Sequence, residues 1–268
     1  MINSEQSKKQ IKVSVVTAVL NGEQFIRETI ESVLGQEGDF ELEYIIKDGE
    51  STDDTLNIIE EYSSQLRLIS MKDKSPQDAI NQGFEAATGD ILCWLNADDT
   101  FEKGTLNKAV KAFQRNPSKS WLYGRCSIMD NEGRQIQKFV TAYKNMLGFS
   151  FNRNFLLCEN FINQPATFWR RELWGKCMPL SENYKAAWDY ELWLKMSLYG
   201  SPIVIRSYLA KFRRHPGSIS ETQFATQFKE ELNIGQNYGK SWHNIVHNLN
   251  RLKTVAIYTL MHRYKSSK

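Results

Sequence analysis

Ile91-Leu92-Cys93-Trp94-Leu95 is an uninterrupted apolar run, bounded by Gly89-Asp90 before it and by Asn96-Ala97-Asp98-Asp99 after it. It is too short for a helix and has no polar face. It predicts a strand buried on both sides, the kind found in the middle of a parallel sheet. In open α/β sheets, ligands bind just beyond the carboxyl ends of such strands. Asp98 and Asp99 stand at that end with Asn96 beside them, hard oxygen donors placed where Mg²⁺ or Mn²⁺ bridges to a diphosphate. The same residues also suit helix capping, with Asp99 or Thr100 opening a helix near Lys103 and Asp98 solvated. Both readings stay open on these residues alone.

The chain before this run supplies the rest of the sheet. Residues 13–20 are β-branched and apolar and stop at Asn21-Gly22, a strand and turn. Helical spacing follows over 23–34, a second strand over 42–47, a helix over 55–62, a third strand over 66–71 and a helix over 79–87. Strands alternating with helices predict a parallel sheet of βαβ units. Parallel strands share direction, so Asn21 and Glu23, Asp48, and Asp98-Asp99 should meet on one sheet edge. A lone acid there suits ribose hydroxyls and a pair suits a metal, although each is also an ordinary turn or cap residue.

The second half is less regular. It predicts strands over 121–129 and 135–140 around the turn Asp130-Asn131-Glu132-Gly133, then a loop with a short helix over 147–163. A strand over 164–169, begun by Pro165, a helix over 188–198 and strands over 203–205 and 209–213 follow. Trp169, Trp174 and Trp193 are expected in the core rather than as sugar platforms. From Lys240 onward Trp242, Ile245, Val246, Leu249, Leu252 and Ala256 form one apolar helical face. No acid follows Glu231, whereas Lys240, Arg251, Lys253, Arg263, Lys265 and Lys268 are basic. Such a helix suits an anionic membrane surface, and equally suits packing on the body or a second subunit.

Length and charge bound the function. The 268 residues suffice for one large α/β domain with an appended segment, and a net charge of +3 is too small to argue for nucleic acid. Four cysteines without a C-x-x-C pair offer neither a zinc site nor a redox motif, and favour reduced thiols in a cytoplasmic setting. Residues 1–10 lack the apolar core of a signal peptide, and no run reaches the roughly 18 apolar residues of a membrane span.

The ordered motifs carry a resemblance. Thr17-Ala18-Val19-Leu20-Asn21-Gly22-Glu23, Asp48-Gly49-Glu50-Ser51-Thr52-Asp53, Asp78-Ala79-Ile80-Asn81-Gln82-Gly83 with Ala87-Thr88-Gly89-Asp90, and Leu95-Asn96-Ala97-Asp98-Asp99 resemble successive motifs of family-2 glycosyltransferases. Gln164-Pro165-Ala166-Thr167-Phe168, Trp188-Asp189-Tyr190-Glu191-Leu192-Trp193-Leu194 and Arg213-Arg214-His215-Pro216-Gly217-Ser218-Ile219-Ser220 continue it, so that it covers residues 11–220. Within that family the chain is similar to the bacterial branch that builds surface polysaccharides.

The resemblance implies a GT-A fold: a Rossmann-like, mostly parallel sheet flanked by helices, with a mixed acceptor-side half. The domain would run over 11–225, its nucleotide-sugar half over 11–125 and its acceptor half over 126–225, with a basic helical tail over 226–268. It implies inverting transfer from a nucleotide-sugar, a UDP-sugar, to a glycan or lipid-linked acceptor, with Mn²⁺ or Mg²⁺. Carried over by position, Thr17, Ala18, Asn21, Glu23, Asp48, Asn81 and Asp98 would hold the nucleotide. Asp98, Asp99 and His215 would serve the metal, Asp189 would be the general base, and Gln164, Trp188 and Glu191 would lie on the sugar and acceptor side. Asp189 also reads as a helix N-cap, and His215 as a surface-loop histidine.

The chain departs from the family pattern at Asn96 (first acid of D-x-D), Leu20 (often aromatic), Glu50 (usually Gly), and Ser75 and Gln77 (usually Gly and Tyr). Two other readings are a nucleotidyltransferase and a non-catalytic sugar-nucleotide-binding protein. The former wants a Gly-rich phosphate loop with a Lys or Arg, which residues 20–23 do not supply.

Overall fold

The computed structural model describes residues 10–218 and 222–266. Ile219, Ser220 and Lys268 lie outside them, as do the side chains of Ala256, Arg263 and Lys265. The first half follows the βαβ pattern: β1 (Lys12–Val19), α1 (Ile26–Leu34), β2 (Glu41–Asp48), α2 (Thr55–Glu60), β3 (Arg67–Ser70), α3 (Pro76–Ala86) and β4 (Ile91–Trp94). All four strands are parallel, in the order β3-β2-β1-β4. Every residue of β4 is buried, as an apolar run without a polar face requires. Because β2 and β4 flank β1 on opposite sides, a crevice opens beyond the ends of β1 and β4.

The second half extends the sheet with β5 (Thr100–Phe101), α4 (Thr105–Arg115), β6 (Trp121–Met129), β7 (Gln135–Ile136), α5 (Lys138–Leu147), α6 (Arg153–Cys158), β8 (Thr167–Arg170), α7 (Arg171–Cys177), α8 (Trp188–Ser197) and β9 (Ile203–Arg213). β8 runs antiparallel between β4 and β6, and the sheet continues through β9 to β5. Two helices close the chain, α9 (Phe224–Tyr238) and α10 (Ser241–Ser266).

Several expectations for this half are corrected. The strand expected over 135–140 stops at Ile136: Gln137 adopts a left-handed φ of 48° and α5 starts beyond it. The strand expected from Gln164 begins at Thr167, after a 3-10 turn at Gln164–Ala166. Proline has no N–H for a ladder that is paired on both sides, so Pro165 stays in the turn. The two strands expected over 203–213 are one strand, β9, with bulges opposite Gly124–Cys126. Helix α7 was not expected, whereas α9 and α10 divide the expected helical tail at Gly239-Lys240.

Helices cover both faces of the sheet. On one face Phe113, Leu106 and Ile30 pack against the strands. On the other, Trp94 stacks on Trp193 at 6.0 Å and Trp169 on Trp174 at 6.0 Å, so these tryptophans form core.

α10 docks against α6 through polar residues. His243 Nε2 lies 3.1 Å from Asn154 Oδ1, His247 Nδ1 lies 3.0 Å from Leu157 O, and Asn250 Nδ2 donates to Cys158 O at 3.2 Å. The expected apolar face points away, with Trp242, Ile245, Leu249 and Leu252 48–63% exposed.

Candidate active site

A cavity of about 950 Å³ runs from the carboxyl ends of β1 and β4 to α5, α8, α9 and α10. Of the residues expected to form a site, Ala18, Asn21, Asp98, Gln164, Trp188, Asp189 and His215 line it. Asn21 turns the chain after β1 with φ 53°, a conformation Asn tolerates, and its Oδ1 accepts from Thr52 N at 2.8 Å.

The end of β4 separates the two neighbouring acids. Asp98 faces the cavity, its Oδ2 3.0 Å from His215 Nε2. Asp99 is wholly buried and accepts from Arg213 N at 2.8 Å and Asn96 Nδ2 at 2.9 Å. Burial, and then the charge of Asp98, push the Asp99 carboxyl well above the usual carboxylate range. The Asp99 side chain thus joins β4 to β9 and is not among the residues that line the cavity.

Arg213 completes that junction. It is 1% exposed, donates from Nε to Asp98 O at 2.8 Å, pairs with Glu28 and lies 4.7 Å over the Phe25 ring. Phe25 also packs on His215, with centroids 5.0 Å apart. The loop after β9 is thereby held against Asp98. Asn96 bonds Gln164 Oε1 at 3.1 Å, and Gln164 Nε2 donates to Trp94 O at 2.7 Å, fixing the wall beside β4.

Five other expected residues are off the cavity wall. The Asp48 carboxylate is buried and accepts from Glu50 N and Ser70 Oγ at 2.9 and 2.8 Å, as well as from Ser51 N. Glu50 itself has φ 68°, which is why glycine suits that turn. Thr17 bonds the Tyr44 hydroxyl at 3.1 Å inside the sheet, and Glu23 Oε2 accepts from Asp54 N at 2.9 Å. Asn81 holds Leu180 through both its N–H and its C=O at 2.9 and 3.1 Å, and Glu191 pairs with Lys195 at 3.0 Å. All five are bound into the scaffold.

The acceptor-side wall is built by helices. Asp189 lies in the first turn of α8, but the cap position is Ala187, so Asp189 is not the N-cap. Its Oδ1 accepts from Tyr190 N at 2.7 Å, and burial first, then the charge of Glu231, push its carboxyl up to about 7.

Sequence reasoning missed Asp73, which lines the cavity and lies 3.4 Å from the buried Lys47 Nζ. It follows β3, so the same-edge argument that selected Asp48 would have found it. It also missed Glu231, for which the sequence offered no signal.

The chain is 28% identical over 238 residues to a PGL/p-HBAD biosynthesis glycosyltransferase of Mycobacterium bovis, covering 84% of this chain and 86% of that protein. It is 28% identical over 218 residues to the putative teichuronic acid biosynthesis glycosyltransferase TuaG of Bacillus subtilis, covering 79% and 82%.

Among solved structures, S. aureus TarS 1-349 in complex with UDP aligns with a TM-score of 0.62 at 21% identity; the alignment covers 84% of this chain but only 64% of that one, under two thirds. The mannosyltransferase PcManGT of Pyrobaculum calidifontis, in complex with GDP-Man and Mn²⁺, aligns at 0.65 and 18% identity, covering 90% and 69%. These likenesses establish the shared GT-A fold. Because the family model matches residues 14–175, over half of the chain, the protein belongs to glycosyl transferase family 2.

Proposed function

We propose that this chain is an inverting glycosyltransferase that moves a sugar from a UDP-sugar to a hydroxyl of a glycan or lipid-linked acceptor, in bacterial surface-polysaccharide biosynthesis. The observation that carries this reading is one cavity lined by both Asp98–His215 and Asp189. The donor's nucleoside lies against Ala18, Asn21 and Asp73, and its diphosphate reaches Asp98 and His215. A carboxylate and an imidazole turned into a cavity fit Mn²⁺ or Mg²⁺. Among the described residues no third acid, His or Cys joins them. Asp98 and His215 would hold the ion, which would supply charge neutralisation for the departing diphosphate.

Asp189 accepts the proton of the attacking acceptor hydroxyl. A carboxyl raised to about 7 suits this, because a base poised near the working pH is a stronger proton acceptor than an ordinary carboxylate. Trp188 beside it offers an aromatic surface to a sugar ring. The enzyme works in the cytoplasm and touches the membrane through the outer face of α10. No described helix is long and apolar enough to cross a membrane.

The test is a panel of nucleotide sugars with Mn²⁺, scored by released nucleoside diphosphate in the presence of glycan and lipid-linked acceptors. One donor should give release that Asp189→Asn lowers by about 10²–10⁴-fold while calorimetric donor binding survives. Full activity in that variant excludes Asp189 as the base. Binding without turnover by any donor favours the non-catalytic reading.

A further inference from the structure

Helix α9 lies beyond the segment matched by the family model and carries the most deeply buried acid of the C-terminal region. Glu231 is 4% exposed and lines the same cavity as Asp189. Its Oε1 accepts from Asn160 Nδ2 and from Gln227 Nε2, both at 3.1 Å, and no cation among the described residues is bonded to it. Asn160 lines the cavity too, and its Oδ1 is buried without a hydrogen-bond partner, as expected where a ligand hydroxyl completes the network.

The preceding residue fixes the register. Glu230 accepts from Lys185 N at 2.8 Å, Ala186 N at 2.9 Å and Ala187 N at 3.1 Å, the turn that leads into α8. One acid of α9 thus clamps the start of α8, and the next faces the cavity that Asp189 enters. A purely structural helix has no need of a buried carboxylate there, because an isolated buried charge is costly.

We propose that Glu231 is a positioning residue for sugar transfer: its charge on the acceptor-side wall makes Asp189 a stronger proton acceptor, and with Asn160 it orients the acceptor hydroxyl. The proposal rests on the reading of Asp189 as the base. Glu231 adds to the upward push on the Asp189 carboxyl, after burial. Burial also raises Glu231 itself, and its hydrogen bonds from Asn160 and Gln227 oppose this. The other charged groups facing the pair are Lys144 on α5, which favours both carboxylates, and Glu159 after α6, which disfavours ionisation of Glu231. His247 and Arg251 on α10 line the same cavity.

The experiment titrates full-length protein carrying ¹³Cγ-labelled aspartate, with the Asp189 resonance assigned by its loss in Asp189→Asn. Glu231→Gln should lower the Asp189 midpoint by roughly one pH unit, and Glu231→Asp should bring it back toward the wild type. An unmoved midpoint in folded Glu231→Gln overturns the proposal. If that variant does not fold, Glu231→Met, which removes the charge without burying an unpaired amide, takes its place: the midpoint should fall likewise, and an unmoved one overturns the proposal. The midpoint is read without substrate. An Asp189→Asn enzyme that still transfers sugar therefore sinks the base reading by itself, whichever way the titration falls.

Discussion

In the parallel half, the acids at the strand ends are mostly consumed by the backbone. Asp48 accepts from the turn after β2, Glu23 from Asp54 N, and Asp99 from Arg213 N, while Asp98 and Asp73 are turned to the cavity. In the helical half, the half-buried Asp189 and the buried Glu231 have few donors and both face the cavity. The difference has a physical origin. Loops leaving a parallel sheet expose backbone N–H groups that need acceptors, and a nearby carboxylate supplies them. Helices satisfy their own N–H groups beyond the first turn, which leaves an acid in mid-helix such as Glu231 available for chemistry.

The largest expected effect tests this division directly. Asp99→Ala leaves Arg213 N without its acceptor and takes one of two from Asn96 Nδ2, so it should lower unfolding stability by roughly 2–4 kcal/mol. Denaturant titration measures this. A stable Asp99→Ala protein that has lost only metal-dependent binding would return Asp99 to the metal. Asp98→Asn should do the reverse, leaving stability intact and weakening Mn²⁺-dependent donor binding by at least the roughly 10–100-fold typical of losses around a metal site. Calorimetry with and without Mn²⁺ separates the two acids.

The outer face of α10 gives a smaller effect. Leu249→Gln with Leu252→Gln removes two exposed apolar groups and leaves the histidine face untouched. Cosedimentation with phosphatidylglycerol vesicles at low salt should fall several-fold while thermal unfolding stays unchanged. A full-length protein that ignores such vesicles has no membrane contact at this face.

The parallel half was legible because its signals are local: one apolar run, four turns and a strand period that β1 and β4 reproduce to within a residue or two. The acceptor half was not, because long-range pairing decides it. Residues 135–140 have strand composition, but the left-handed turn at Gln137 diverts them into α5, which lines the cavity with Tyr143 and Lys144. The motif positions identified Asp98, His215 and Asp189 but could not distinguish cavity-facing acids from scaffold acids, since that depends on which backbone N–H groups lie opposite. Arg213 was seen only as part of a motif. Its burial between β4, α1 and the turn after β6 is a product of the tertiary fold.

The smallest effect concerns how α10 is held. His243 accepts from Lys240 N at Nδ1, 2.9 Å away, which leaves Nε2–H to donate to Asn154 Oδ1. His247 donates from Nδ1 to Leu157 O. Burial holds both imidazoles below the ordinary histidine value. Arg153 and Lys240 push His243 further down, and Arg251 does the same to His247, against the pull of Glu159. A depressed folded value means that the released helix binds protons first as the pH falls. Docking is therefore fully stable above the unfolded value of about 6.5 and weakens progressively below it. Hydrogen exchange of the α10 amides, corrected for intrinsic rate, should show protection at pH 7.5 that declines at pH 5.5, with the α3 amides unchanged. Replacing both histidines with glutamine should flatten that dependence. Equal protection of α10 at the two pH values in the wild-type protein would show that the imidazoles do not control docking.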